Sequence, residues 1–221
     1  MLKLNLILSI LILFHINSIK TSEIETFKQC LIHNLEYSRE YLYTSDDINI
    51  NTWGSHNKLI KRNVFTYPLR KVNDYEKIAW TFIPVSLPFE ANKSSQNYKT
   101  NYLIKSGKYQ NEYLCATNEH EIFSQSRRVI KRMRLNPSIL RFQFNCHWII
   151  DKVSKIKSNY TSNTIKNLLF EDEYIYASGS LFNLEWYKRN VYSWCEKTNL
   201  NSKKFKWIID CSKGDFLLSK K

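Results

Sequence analysis

IHNLEYSREYL, the stretch at residues 32–42, decides the fold because the chain repeats it twice. It returns as IKSGKYQNEYL at residues 104–114 and as IKNLLFEDEYI at residues 165–175, both times without a gap. Self-similarity at a long spacing indicates an architecture of repeated units, whatever the local propensities are. The sequence therefore predicts one domain built from three copies of one unit.

Each copy shares two further features. A basic pair opens a strand-sized run, and a tryptophan closes the copy. The runs occupy residues 61–67, 127–133 and 188–194, and the tryptophans are Trp80, Trp148 and Trp207. A unit thus has four short runs of apolar, aromatic and β-branched residues, separated by polar clusters and without a sustained helical period. We expect four strands in each unit and no helix longer than about two turns.

Twelve strands in three units resemble the β-trefoil, an all-β fold in which three hairpins cap a six-stranded barrel. The resemblance covers nearly all of residues 27–212, with repeats about 27–85, 101–152 and 163–212. A propeller also repeats radially, but propellers usually need four or more blades. The resemblance implies that equivalent core side chains meet about a pseudo-threefold axis. These are Ile32, Ile104, Ile165, Leu42, Leu114, Ile175 and the three tryptophans.

The tryptophans are expected in the core. A large aromatic side chain buries about 150–250 Å², so three of them would dominate the packing. A role as an exposed sugar platform is the alternative, which their position in apolar runs disfavours. Ricin-type lectins close each unit with Gln-x-Trp, and this chain has Ile78, Cys146 and Phe205 at the glutamine position. The positions matching their sugar-binding carboxylate are not acidic, so a ricin-like galactose site is not implied. They are Tyr43, Cys115 and Tyr176.

The N-terminus is typical of a secreted protein. An apolar run from Leu4 to Ile16 follows Lys3, which fits a signal peptide at residues 1–18. A buried N-terminal strand or helix is the alternative. The run is shorter than the roughly 20 residues of a membrane span, so we expect none. The single β-trefoil domain would then comprise residues 19–221.

All five cysteines lie beyond the signal peptide, where disulfides form and persist. An odd number leaves at least one thiol unpaired. In a trefoil the first strand of unit one lies beside the last strand of unit three, so the resemblance implies a Cys30–Cys211 disulfide. Cys115 is the expected unpaired thiol, and the pairing of Cys146 and Cys195 stays open. No C-x-x-C spacing occurs, so a zinc site is not expected.

Two sequons fall in the polar stretches between repeats. Asn92 and Asn159 are each followed two residues later by Ser or Thr. Each could carry a glycan on an exposed loop. Chance occurrence in an Asn-rich chain explains them equally well.

The chain is strongly cationic, with a formal net charge of +13. Acidic partners outside the cell are sulfated glycans, anionic membrane surfaces and released nucleic acid. The cations are densest in one short stretch, which we predict to be a polyanion site. Its residues are Arg127, Arg128, Lys131, Arg132 and Arg134. A solvated basic face is the alternative.

No set of residues indicates catalysis. Cys146 and His147 are adjacent, but neighbours on a strand point to opposite faces and cannot share a hydrogen bond. Glu40, Glu112 and Glu173 recur in all three units, which favours anchoring of turns over acid–base chemistry. We therefore expect a secreted, non-enzymatic protein without cofactor or metal that binds extracellular glycans or glycosaminoglycans. The alternative is a ligand or inhibitor that inserts a loop into a receptor or protease.

Overall fold

The computed structural model describes most of the region between residues 29 and 212. The described residues are 29–50, 60–85, 100–121, 124–135, 140, 142–157, 160–170, 172–179, 188–195 and 200–212. The predicted signal peptide at 1–18 and the sequons at Asn92 and Asn159 lie outside them. Within these ranges the chain forms strands and single 3₁₀ turns, and no α-helix. The prediction of an all-β domain is confirmed.

Each of the three units contributes four strands. Unit one contains β1 (Cys30–Asn34), β2 (Glu40–Ile50), β3 (Ile60–Pro68) and β4 (Ala79–Val85). Unit two contains β5 (Asn101–Ser106), β6 (Glu112–Glu121), β7 (Ser124–Arg134) and β8 (His147–Lys157). Unit three contains β9 (Tyr160–Asn167), β10 (Tyr174–Ala177), β11 (Arg189–Trp194) and β12 (Trp207–Asp210).

The first and fourth strands of the units close into a ring. Antiparallel pairing runs from β1 to β4, β5, β8, β9 and β12, and β12 returns to β1. The closing pair sets Ile32 opposite Ile209. A closed ring leaves no unpaired edge among these six strands, which removes the usual site of edge-to-edge aggregation.

The second and third strands of each unit form a hairpin, and the three hairpins pair with one another. β2 pairs with β3, β6 with β7, and β10 with β11. The third strands β3, β7 and β11 then pair in a cycle. In that cycle Arg62 lies opposite Arg132, and Arg189 lies opposite Thr66. Each hairpin therefore brings charged residues against its neighbour.

The core repeats with the units. All nine residues expected to meet about the threefold axis are buried and belong to one cluster. Each of the three tryptophans is 0% exposed, so the prediction that they are buried is confirmed. Their indole N–H groups donate to equivalent backbone carbonyls at 2.8–3.0 Å. The pairs are Trp80 with Leu42, Trp148 with Leu114, and Trp207 with Ile175.

Two disulfides connect the strands. Cys30 bonds to Cys211 across the junction of the first and last strands, as the trefoil resemblance implied. The expectation that Cys115 is unpaired is wrong, because it bonds to Cys146. The free thiol belongs to the half-buried Cys195. Cys146 lies in a 3₁₀ turn, and the equivalent positions of the other two units hold no cysteine. The repeat therefore did not predict the Cys115–Cys146 disulfide.

Candidate functional site

The five cations of the predicted polyanion site lie on β7, but they do not form one exposed patch. Arg134, at the end of the strand, is exposed. Arg132 is fully buried, and Lys131 is 8% exposed with its ammonium 2.6 Å from the carboxylate of Glu119. Two of the five cations of the predicted polyanion site are therefore buried. Two side chains lie outside the described part of the structure, those of Arg127 and Arg128.

Arg132 is held by a buried carboxylate. Its Nε lies 2.6 Å from Oε2 of Glu112, and its other nitrogens donate to Ser106 Oγ at 3.1 Å and to the Ser45 carbonyl at 3.3 Å. The guanidinium carbon sits 3.8 Å from the ring centroid of Tyr109. Burial lowers the pKa of Arg132 to about 10, against the opposing effect of Glu112, so the side chain remains charged at neutral pH. Its partners are all internal, and it is not available to an external ligand.

The carboxylate that holds Arg132 has a counterpart in each of the other units. Glu40 accepts a hydrogen bond from Thr66 Oγ1 at 2.6 Å, and Glu173 accepts one from Ser193 Oγ at 2.6 Å. The residues that contact the three glutamates, Thr66, Arg132 and Ser193, occupy the same place in the repeat. Each lies four residues after the arginine at the second position of its run. The recurring glutamates thus bind the third strand of their own hairpin.

A neighbouring hairpin adds an arginine to two of these glutamates. Nε of Arg189 lies 2.9 Å from Oε1 of Glu40, and Nε of Arg62 lies 3.3 Å from Oε1 of Glu112. Each guanidinium also stacks on the tyrosine three residues before its glutamate, at 3.9 and 4.3 Å from the ring centroid. The glutamates therefore tie hairpins of different units together, which makes their expected anchoring role more specific. Arg62 and Arg189 are thus paired within the protein.

Two exposed arginines line a groove of about 640 Å³ in unit one. Arg39 belongs to the turn between β1 and β2, and Arg70 to the 3₁₀ turn that follows β3. Neither guanidinium has an ion-pair or hydrogen-bond partner among the described residues. We call this feature the Arg39/Arg70 groove. Its lining consists of Ser38, Arg39, Glu40, Tyr41, Pro68, Leu69, Arg70 and Tyr75.

Backbone and side-chain contacts fix the shape of this groove. Asn34 Oδ1 accepts from two backbone N–H groups of the β1–β2 turn at 3.0 and 3.3 Å, and its amide donates to the carbonyl of Lys204 at 2.9 Å. The N–H of Leu69 donates to the Arg39 carbonyl at 3.2 Å, which joins the two arginine-bearing segments. Asp74 caps the short turn that carries the second tyrosine of the lining. These internal contacts hold the segments that carry Arg39, Arg70 and Tyr75 in place.

The equivalent turns of the other units carry different charge. Arg39 is replaced by Asn111 in unit two and by Asp172 in unit three. These two residues have φ of 57° and 63°, a left-handed conformation that Asn and Asp tolerate and that Arg39 does not adopt. The sequence contained this signal, since the repeat alignment shows a cation only in unit one. The sequence gave no such signal for Arg70, because its segment lies outside the aligned runs.

In the part of the chain described, no group of three or more His, Cys, Asp and Glu side chains is placed to hold a metal ion. No helix among these same residues is long and apolar enough to cross a membrane.

Comparison with known proteins shows similarity of fold alone. No protein-family model matches the chain, and no curated protein matches it. A Caenorhabditis elegans protein of unknown function is 12% identical with a TM-score of 0.53, covering 86% of this chain and 97% of its own. The SDF2-like protein from Arabidopsis thaliana is 12% identical with a TM-score of 0.54, covering 83% and 93%. The binding domain of botulinum neurotoxin serotype C1 is 14% identical with a TM-score of 0.51, covering 83% and 42%.

Proposed function

We propose that residues 19–221 form a secreted β-trefoil domain after removal of a signal peptide at residues 1–18. The six-stranded ring and the three mutually paired hairpins support the trefoil assignment. Two disulfides support an oxidising location outside the cytosol. Asn92 and Asn159 remain predicted glycosylation sites.

The function we propose is non-enzymatic binding of acidic extracellular glycans, including glycosaminoglycans. The observation that carries it is the pair of exposed arginines in the Arg39/Arg70 groove, which have no ion-pair partner in the part of the chain that the structure describes. A guanidinium fork binds sulfate or carboxylate with two parallel hydrogen bonds, and such charge-assisted bonds are roughly twice as strong as neutral ones. The formal charge of the full chain is +13, of which the signal peptide supplies only Lys3, and this positive charge would speed the encounter with a polyanion.

The groove is a better candidate than β7 for the main contact. Lys131 and Arg132 on β7 already have carboxylate partners, and an external anion would have to displace them. Arg39 and Arg70 have no such competitor among the described residues. We therefore place the first polyanion contact in unit one and treat Arg127, Arg128 and Arg134 as a second, weaker contact.

Heparin chromatography of the mature protein tests this function. The wild type should be retained on heparin above physiological salt and not on uncharged agarose. The double variant Arg39→Ser/Arg70→Ser should elute at clearly lower salt, because each lost contact reduces the number of released counter-ions. Retention that is equal on both resins would exclude the proposal and favour a loop-inserting ligand of a receptor or protease.

A matched control separates a local site from overall charge. Lys152 and Lys203 are exposed and lie in other parts of the fold. The variant Lys152→Ser/Lys203→Ser loses the same formal charge but leaves the groove intact, so its elution should shift much less. If both double variants shift equally, the protein binds polyanions by net charge, and the groove has no special role.

A further inference from the structure

We propose that the Arg39/Arg70 groove is a single-ligand pocket for one acidic sugar residue of a sulfated or carboxylated glycan. This inference rests on the proposed function and specifies its ligand. The anionic group lies between the two arginines, and the sugar packs against the tyrosines of the lining.

The size of the groove supports a small ligand. Its volume of about 640 Å³ falls within the roughly 300–1,000 Å³ of small-molecule sites. Tyr41 and Tyr75 belong to an aromatic and aliphatic cluster that also contains Leu69. Tyrosine offers both a flat apolar face and a polar hydroxyl, a combination that suits a sugar with C–H and O–H groups on its surface.

The carboxylate of Glu40 is held by Thr66 and Arg189, so its charge is paired within the protein. The two arginines of the groove have no such partner among the described residues and can receive an anionic group from a ligand.

The other units lack the charges that this pocket needs. At the position of Arg39 they carry the neutral Asn111 and the negative Asp172. At the position opposite the recurring glutamate, unit one has Pro68, which lines the groove, and unit two has Arg134. Of the three units, only the first therefore combines an arginine in this turn with an apolar residue opposite the glutamate.

Titration of the mature protein with monosaccharides tests the pocket. The probes are methyl glucuronide, sulfated N-acetylglucosamine and uncharged N-acetylglucosamine, with binding followed by NMR and calorimetry. We expect one site per chain for both acidic probes and at least tenfold weaker binding of the uncharged one. Sulfate and carboxylate share the anionic chemistry, and the ratio of the two affinities identifies the preferred source.

Variants of the arginines complete the test. Arg39→Ser and Arg70→Ser should each weaken the acidic probes about tenfold, as expected for one lost charge-assisted hydrogen bond. The charge-preserving Arg39→Lys/Arg70→Lys should bind with intermediate affinity, since lysine keeps the charge but not the fork. Lys152→Ser should bind as the wild type does. The backbone resonances of each variant report whether the fold is intact.

Two outcomes would overturn the pocket. One is acidic-sugar binding that the serine variants leave unchanged, and the other is a stoichiometry of two or three per chain. A wild type that stays on heparin but binds no monosaccharide refutes the pocket and leaves the general polyanion function standing. A wild type that is not retained on heparin at all refutes the function itself.

Discussion

Arg132 and Glu112 form an ion pair that the protein removes from solvent, with 0% and 5% of their side chains exposed. The pair lies where hairpins of units one and two meet, and the guanidinium also reaches the carbonyl of Ser45. Removing one member of a buried pair leaves the other charged without a partner. Arg132, which belongs to the most cationic stretch of the sequence, therefore contributes to the stability of the fold.

Glu112→Gln should destabilise the protein strongly. It leaves Arg132 and Arg62 without their carboxylate, and breaking a buried pair in this way typically costs about 3–5 kcal/mol. Urea unfolding, followed by tryptophan fluorescence, measures the loss. Arg134→Ser is the control, because an exposed change on the same strand usually alters stability by less than about 0.5 kcal/mol. Equal midpoints for the two variants would contradict the assigned role.

The two disulfides should differ in their contribution. Cys30 and Cys211 are 181 residues apart, whereas Cys115 and Cys146 are 31 apart. In the chain-entropy view, the longer loop contributes about 5 kcal/mol and the shorter about 4 kcal/mol. Thermal unfolding of the two paired Cys→Ala variants tests the order. A larger loss from the shorter loop would show that native-state packing around Cys146 outweighs loop entropy.

The three core tryptophans should be energetically equivalent. A Trp→Phe change at position 80, 148 or 207 leaves one buried carbonyl without its donor, which costs about 1–3 kcal/mol before any cavity is counted. Trp194, which is only half-buried, provides the control and should lose less. Calorimetric unfolding of the four variants measures this. Losses that differ widely among the three core positions would contradict the threefold packing.

The sequence predicted the parts of the fold that repeat. Equivalent isoleucines, leucines and tryptophans indicated the three units and the buried core, because the same contact is made three times. The Cys115–Cys146 disulfide was missed, because it exists in one unit only. The aligned runs place Arg132 at the position of Thr66 and Ser193, but the structure was needed to show that this position faces the recurring glutamates. The high density of cations in this stretch led instead to the prediction of a polyanion site.

The Arg39/Arg70 groove could be predicted only in part. Arg39 stands out in the repeat, as a cation where the other units have Asn and Asp. Arg70 comes near it through the 3₁₀ turn after β3, and the N–H of Leu69 makes the connecting hydrogen bond. No periodic pattern encodes that turn, so tertiary structure was required to bring the two arginines to one groove.

His147 should make the stability of the protein fall in mild acid. It is fully buried beside the Cys115–Cys146 disulfide, and its Nε2 lies 2.9 Å from the carbonyl oxygen of Leu140. Burial lowers the pKa of this imidazole, and the contact with that carbonyl only partly opposes the effect.

The sign follows from linkage. A histidine whose pKa is lower in the folded state binds fewer protons there, so its contribution is complete above the unfolded pKa of about 6.5 and is lost as pH falls below it. Urea unfolding between neutral pH and pH 5 should thus give a falling free energy of unfolding for the wild type. His147→Gln cannot titrate and keeps an amide donor for Leu140, so its free energy should fall less over the same range. Parallel pH profiles for the two proteins would show that other groups cause the loss.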